Sequence, residues 1–228
     1  MIIKIQDKDF NFKDAEYGEC NKLIENKYVI ALDFDGVITS PGEIKKLYIN
    51  RLGYNLQLNE VEKNICLSKG VSLEDYKKAS YKAYTERPSI LPLEKDFKEV
   101  FYKLRNLKEI AIFIVSSRYD HMVSHLEEFL KYNKIKLDGI ICTSEKNKID
   151  ALMEINANIF IDDSFSKLKD IIDNNKKFHK KCLLFFFRNN QNKNIRIEDN
   201  KIKEVAGWKE LENIINKKMI EHQSNNNL

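Results

Sequence analysis

At 228 residues the chain is long enough to bury a sizeable core without disulfides or a structural metal, as one domain with a large insertion or as two small domains. Hydrophobic residues make up 43% and charged residues 32%, with only seven Gly and three Pro, which excludes a fibrous or largely disordered chain. The net charge of +4 is the small difference between 39 basic and 35 acidic side chains, and the lysines are spread along helical stretches, so no nucleic-acid partner is expected.

The N-terminus MIIKIQDKDF is interrupted by charge every few residues. It contains no apolar segment suited to a signal peptide or a membrane span, and the expectation is a cytoplasmic protein with no membrane partner. Residues 1–27 are expected to add a short strand and helix at a sheet edge. Next comes YVIALDFDGVIT at 28–39, an apolar run that reads as a buried strand and ends in Asp33, Asp35 and Gly36. No further strand is expected for some seventy residues. The gap holds GEIKKLYINRL, LNEVEKNICLSKG and SLEDYKKASYKAYTE, three helical patterns, with Ser72 followed by Glu74 and Asp75 as a helix start on the last. RPSILP breaks the pattern before LEKDFKEVFYKL resumes as a helix.

From there short apolar runs alternate with amphipathic stretches, the pattern of a βαβ chain. The runs are IAIFIV (110–115), GIIC (139–142), NIFI (158–161) and CLLFFF (182–187), continuous enough to be buried on both faces. Between them YDHMVSHLEEFLKYN, KIDALMEI and SFSKLKDIIDN carry apolar residues at helical spacing. The expected architecture is α/β, a Rossmann-like doubly wound parallel sheet formed by residues 1–39 and 92–219, with an all-helical insertion at 40–91 and a disordered tail at 220–228. Cys20, Cys66, Cys142 and Cys182 form no metal-ligand or redox spacing and are expected to be small buried hydrophobes.

Three buried runs end in polar groups: Asp33 and Asp35, then Ser116 and Ser117, then Asp162 and Asp163. In an open parallel sheet ligands bind beyond the carboxyl ends of the strands, so these clusters can meet in one crevice, with Lys146 or Lys148 opening a nearby helix. Residues two apart on a strand point the same way, so Asp33 and Asp35 can face one ligand, and Gly36 lets the chain approach it closely. Four carboxylates at two strand ends demand a cation, and hard oxygen ligands with water positions to spare suit Mg²⁺, which suits a phosphate. An aspartate beside them can attack phosphorus in line.

Together these residues resemble the haloacid dehalogenase superfamily in its phosphatase branch. VIALDFDGV matches the first motif, IFIVSSR the second, KIDAL the third and IFIDDS the acidic fourth, over roughly residues 28–187. The insertion resembles the first type of cap in that family, and VAGWKELENII is similar to the last helix of nucleotidase-like members. The resemblance implies that Asp33 is a nucleophile that becomes an aspartyl-phosphate. It implies that Asp35 protonates the leaving oxygen and later activates water, and that Ser116, rather than Ser117, binds the phosphoryl group. Lys148, or alternatively Lys146, would neutralise nucleophile and phosphate. Asp163 would ligate Mg²⁺ with the Asp33 carboxylate and the Asp35 carbonyl, while Asp162 acts through water or Lys148. The second aspartate of the first motif favours phosphoryl transfer over dehalogenation.

Around this centre, Arg118 is placed to reach the phosphate or pair with a nearby acid. Arg51, Lys69, Lys82 and Arg87, with Tyr48, Tyr54, Tyr81 and Tyr84, offer charge and stacking surface from the insertion. His121 and His125 sit at helical spacing with no third ligand, as on a surface helix face. The function expected is a Mg²⁺-dependent phosphomonoesterase of a small phosphorylated metabolite, with a nucleoside monophosphate slightly preferred over a sugar phosphate. A phosphotransferase or mutase of the same fold, or an idle binding member, is the alternative.

Overall fold

The computed structural model describes residues 1–16 and 18–226. Among them eight strands form one sheet: β1 (Ile2–Gln6), β2 (Phe12–Asp14), β3 (Tyr28–Leu32), β4 (Ile110–Ser116), β5 (Gly139–Cys142), β6 (Ile159–Asp162), β7 (Leu183–Phe187) and β8 (Ile202–Val205). Their order is β2-β1-β5-β4-β3-β6-β7-β8. From β5 to β8 all pairings are parallel, while the β1–β2 hairpin adds antiparallel to β5. The chain leaves β3 toward β4 on one side and later returns to its other side as β6, so the strand order reverses at β3.

The period of two along each strand divides the core between the two faces. In β3, Tyr28, Ile30 and Leu32 join one apolar cluster and Val29 and Ala31 the other. The first face is covered by α5 (Phe97–Arg105), α6 (Val123–Tyr132) and α9 (Trp208–Asn226), through Phe97, Val100, Leu126, Phe129, Trp208 and Leu211. The second is covered by α1 (Asn21–Ile24), α7 (Ile149–Glu154) and α8 (Phe165–Asn174), through Ile24, Leu152, Leu168 and Ile171. The result is a three-layer doubly wound sheet, as its apolar runs predict.

Between β3 and α5 the insertion folds as α2 (Gly42–Arg51), α3 (Lys63–Ser68) and α4 (Leu73–Thr85) with two 3₁₀ turns. It has its own apolar cluster of Ile49, Leu56, Val61, Cys66, Val71 and Ala79. Ser72 caps α4 by accepting from the Asp75 N–H at 3.0 Å, as its position predicts. The chain enters and leaves the insertion on two adjacent segments: Ser40 N–H donates to Pro92 O at 2.7 Å and Glu94 N–H to Ile38 O at 2.9 Å.

Several local expectations change. The edge segment at 1–27 is a hairpin plus one helical turn rather than a single strand and helix. The helix expected from LEKDFKEVFYKL begins at Phe97, because Asp96 adopts a left-handed φ of 62° and breaks the turn before it. β8 was not expected, since its central Lys203 and Glu204 are exposed and the short edge segment carries little apolar signal. α9 runs to Asn226, so the tail expected to be disordered at 220–228 is helical over 220–226, and its last two residues lie outside the described residues. All four cysteines are buried and free. Among the described residues no helix is long and apolar enough to cross a membrane.

α9 also reaches the loop that follows β3. The buried Trp208 indole Nε1–H donates to Val37 O at 2.8 Å, giving that carbonyl its partner 171 residues away in sequence. Trp208→Phe removes the donor and part of a packed ring, and is expected to lower unfolding free energy by about 2 kcal/mol or more, read as a lower urea midpoint.

Candidate active site

Asp33 follows β3, Asp162 ends β6, and the two strands are neighbours at the reversal of strand order. Lys148, just before α7, places its ammonium between them: Nζ donates to Asp33 Oδ1 at 2.8 Å and to Asp162 Oδ2 at 2.7 Å. All three side chains are at most 5% exposed. The second Asp162 oxygen accepts the Ser164 N–H at 2.8 Å, so both of its oxygens are engaged. Burial opposes charge on Asp33, but Lys148 and Lys167 together hold its carboxyl below the ordinary range. Of the two lysines left open by the sequence, Lys148 makes both ion pairs, and Lys146 stands in the wall of the cleft.

Oxygens of Asp33, Asp162 and Asp163 lie within 4.8 Å of one another. Asp163 is held over the β3 loop by residues that follow β7. Asn189 Nδ2 donates to Asp163 Oδ2 at 3.0 Å and to Gly36 O at 2.9 Å, while Asn192 Nδ2 donates to Asp163 O at 2.9 Å and Phe187 O at 2.8 Å. Gly36 has φ +85°, and a Cβ there would collide with the Asp163 carboxylate, so this glycine is required by both conformation and space. Desolvation, then the charges of Asp162 and Asp33, push the Asp163 carboxyl up to about 8. A divalent cation would relieve that crowding, and an all-oxygen donor set fits Mg²⁺. The Asp35 carboxylate lies outside this cluster.

Asp35 is instead gripped by Arg118, whose Nε donates to Oδ2 at 2.9 Å and Nη2 to Oδ1 at 2.8 Å. Arg118 therefore pairs with a nearby acid, one of the two roles expected of it. Its guanidinium stands 4.8 Å from the centroids of both the Phe34 and the Tyr84 rings, so a core loop and the insertion meet on this one side chain. The Arg118 N–H donates to Ser116 Oγ at 3.3 Å, setting the orientation of that buried hydroxyl at the end of β4.

A cleft of about 880 Å³ opens above these groups, between strand ends and insertion. Ser116, Ser117, Arg118, Tyr81 and Tyr84 line it, as expected. The other side chains singled out on the insertion do not. Lys69 pairs with Glu60 at 3.1 Å, Arg51 and Lys82 stand over the Tyr48 ring, Tyr54 donates to Asp75 Oδ2 at 2.7 Å, and Arg87 is exposed. His121 stacks on Tyr119 at 5.7 Å and meets Tyr81 at 6.2 Å at the mouth of the cleft. Four contributors were missed: Asn189 and Asn192, Lys167, whose ammonium responds to Asp33, Asp162 and Asp163, and Lys45 of α2. A charged residue at an otherwise buried helical position, Lys45 in phase with Gly42 and Ile49, was the available signal for the last.

Solved structures share this arrangement of strands and helices. A predicted phosphoglycolate phosphatase from Haemophilus somnus 129pt superposes with a TM-score of 0.57 at 14% identity, covering 84% of this chain and 99% of its own. A haloacid dehalogenase-like protein of unknown function from Agrobacterium tumefaciens C58 gives 0.57 at 12% identity, covering 85% and 99%. A haloacid dehalogenase-like family hydrolase from Xanthomonas campestris gives 0.52 at 9%, covering 84% and 96%. The fold is that of the haloacid dehalogenase-like proteins. At these identities the likeness establishes the fold alone. No family model and no curated protein matches the sequence.

Within this haloacid dehalogenase-like core, Lys148→Met leaves the buried Asp33 and Asp162 carboxylates facing each other without the ammonium that bonds both, and with only the more distant charge of Lys167. The expected cost is about 3–5 kcal/mol near neutral pH. Burial already raises the Asp162 carboxyl and without Lys148 raises both further, so the unfolded state releases more protons and stability falls as pH rises. Urea unfolding at pH 5 and pH 7.5 checks the sign: the deficit against the parent must be larger at the higher pH.

Proposed function

We propose that the protein is a Mg²⁺-dependent phosphomonoesterase of a small phosphorylated metabolite, working through an aspartyl-phosphate on Asp33. The observation that carries this is the Lys148 ammonium bridging Asp33 and Asp162, beside Asp163, at the strand reversal. Asp33 is kept ionised by its surroundings yet opens onto the cleft, as an oxygen nucleophile requires.

The Asp33 and Asp163 carboxylates would hold the metal, with Asp162 acting through Lys148 because both of its oxygens are engaged. Bound Mg²⁺ supplies positive charge to the phosphoryl oxygens and offsets the carboxylate cluster. Asp33 attacks phosphorus in line and displaces the leaving oxygen. Ser116 and Lys148 hold the phosphoryl oxygens, and Lys167 adds charge from the first turn of α8. Asp35, oriented by the Arg118 fork, in its protonated form gives its proton to the leaving oxygen, and the carboxylate so formed, the form the fork grips, takes a proton from the water that hydrolyses the phosphoenzyme and so restores the acid. The helical insertion acts as a cap, restricting water and contacting the leaving group. The preference for a nucleoside monophosphate draws support from the aromatic surface of Tyr81, Tyr119 and His121 at the mouth.

Two measurements test this. Phosphatase activity on a panel of phosphorylated metabolites is expected to require Mg²⁺ and to vanish in excess EDTA, and undiminished turnover of metal-stripped protein would sink the mechanism. Asp33→Asn is expected to abolish both turnover and phosphoenzyme trapping, whereas Asp35→Asn lowers turnover by about a hundredfold or more while a phosphoenzyme still forms from a substrate with a good leaving group.

A further inference from the structure

We propose that Lys45 is the receptor for a second anionic group on the substrate, a carboxylate or a phosphate distinct from the one that is cleaved. This inference rests on the phosphatase function proposed above and narrows its substrate class.

Lys45 is 6% exposed, and it lines the cleft from α2 of the insertion. Among the described residues its contacts are phenolic. Nζ donates to Tyr76 Oη at 3.5 Å and stands 5.5 Å from the centroids of both the Tyr76 and Tyr84 rings. Among the described residues it makes no ion pair, and the Asp163 carboxylate acts on it only from beyond that reach, whereas other lysines of the insertion are paired: half-buried Lys46 with Glu43 at 2.5 Å and exposed Lys69 with Glu60 at 3.1 Å. Aromatic faces offset part of the cost of a desolvated ammonium, but a buried charge without a counter-ion is normally paired or lost. Here it faces open cleft volume, where an anion can supply the pairing that the protein does not.

That anion is distinct from the reacting phosphoryl group because the latter is already served from the core. Asp33 is faced by Lys148 and Lys167, and Ser116 lies at the end of β4 beside them. Lys45 instead reaches the cleft from α2 of the insertion, where its hydrogen bond and ring contacts are with Tyr76 and Tyr84 and, among the described residues, it has no hydrogen bond or ion pair to Asp33 or Ser116. A group that meets Lys45 therefore belongs to the part of the substrate that leaves. The flanking phenols of Tyr76 and Tyr84 add hydrogen-bonding capacity for carboxylate or phosphate oxygens without adding charge.

Matched ester pairs decide the question. One arm compares carboxymethyl phosphate with its neutral amide; the other compares a nucleoside 3′,5′-bisphosphate with the nucleoside 5′-monophosphate. In at least one arm the anionic member is expected to show about tenfold or greater advantage in kcat/KM, expressed mainly in KM, and the responsive arm identifies carboxylate or phosphate as the group. Lys45→Met is expected to bring that ratio to about one, while Lys45→Arg keeps it above one. Calorimetric binding of the same pairs to the Asp33→Asn protein is expected to give the same preference without turnover. Equal kcat/KM and equal binding within both pairs for the unmutated cap would overturn the inference with no variant needed. An unchanged ratio in Lys45→Met, with both members slowed alike, would overturn it too, by assigning Lys45 to the cleaved phosphate. Preferential binding of the anionic members with no hydrolysis of any ester would uphold the receptor and overturn the phosphatase function instead.

Discussion

One ammonium group organises this molecule. Lys148 Nζ lies between two buried carboxylates contributed by adjacent central strands, bonds to both, and with Lys167 holds the Asp33 carboxyl below its ordinary range against the cost of burial. The sheet reversal at β3 makes the arrangement possible, since it opens a crevice where loops diverge to opposite sides. Everything else at the site is fastened around this bridge. Asn189 and Asn192 tie the Asp163 segment to the β3 loop, and Trp208 holds that loop by its Val37 carbonyl. Core packing, long-range hydrogen bonds and the ionisation of Asp33 are thus parts of one construction.

The sheet and the floor of the site were legible in the sequence because buried parallel strands leave continuous apolar runs, and each functional side chain follows one of them directly. Asp33, Ser116 and Asp162 could be placed together for that reason alone. Lys148 and Lys146 could not be separated, since both open the same helix and the loop before them has no periodicity. Asn189 and Asn192 escaped notice because amides in a polar loop look like ordinary turn residues, and their role depends on strands paired far apart in sequence. β8 escaped for the opposite reason: an edge strand with exposed charges has almost no apolar signature. On the insertion, exposed basic residues drew attention, yet the cation that reaches the cleft is the buried one, Lys45, which occupies an apolar position of the α2 pattern.

The insertion and the core meet through alternating rings and cations. Phe34 of the β3 loop, Arg118 after β4, Tyr84 of α4, Lys45 of α2 and Tyr76 of α4 succeed one another at 4.8 to 5.5 Å. Cation–π contacts strengthen as water is removed, so this series gains most when the insertion lies close over the strand ends. Arg118 belongs to it and at the same time grips both oxygens of Asp35. The position of the insertion and the orientation of Asp35 therefore share one guanidinium.

The linkers help to fix where the insertion stands relative to that shared group. Ser40 and Glu94 bind the entering and leaving segments to each other, and Asn133 of the core anchors the leaving segment by donating to Ser89 O at 3.2 Å. The orientation of Asp35 therefore depends on where α4 of the insertion stands over the strand ends, because the guanidinium that grips it also meets Tyr84.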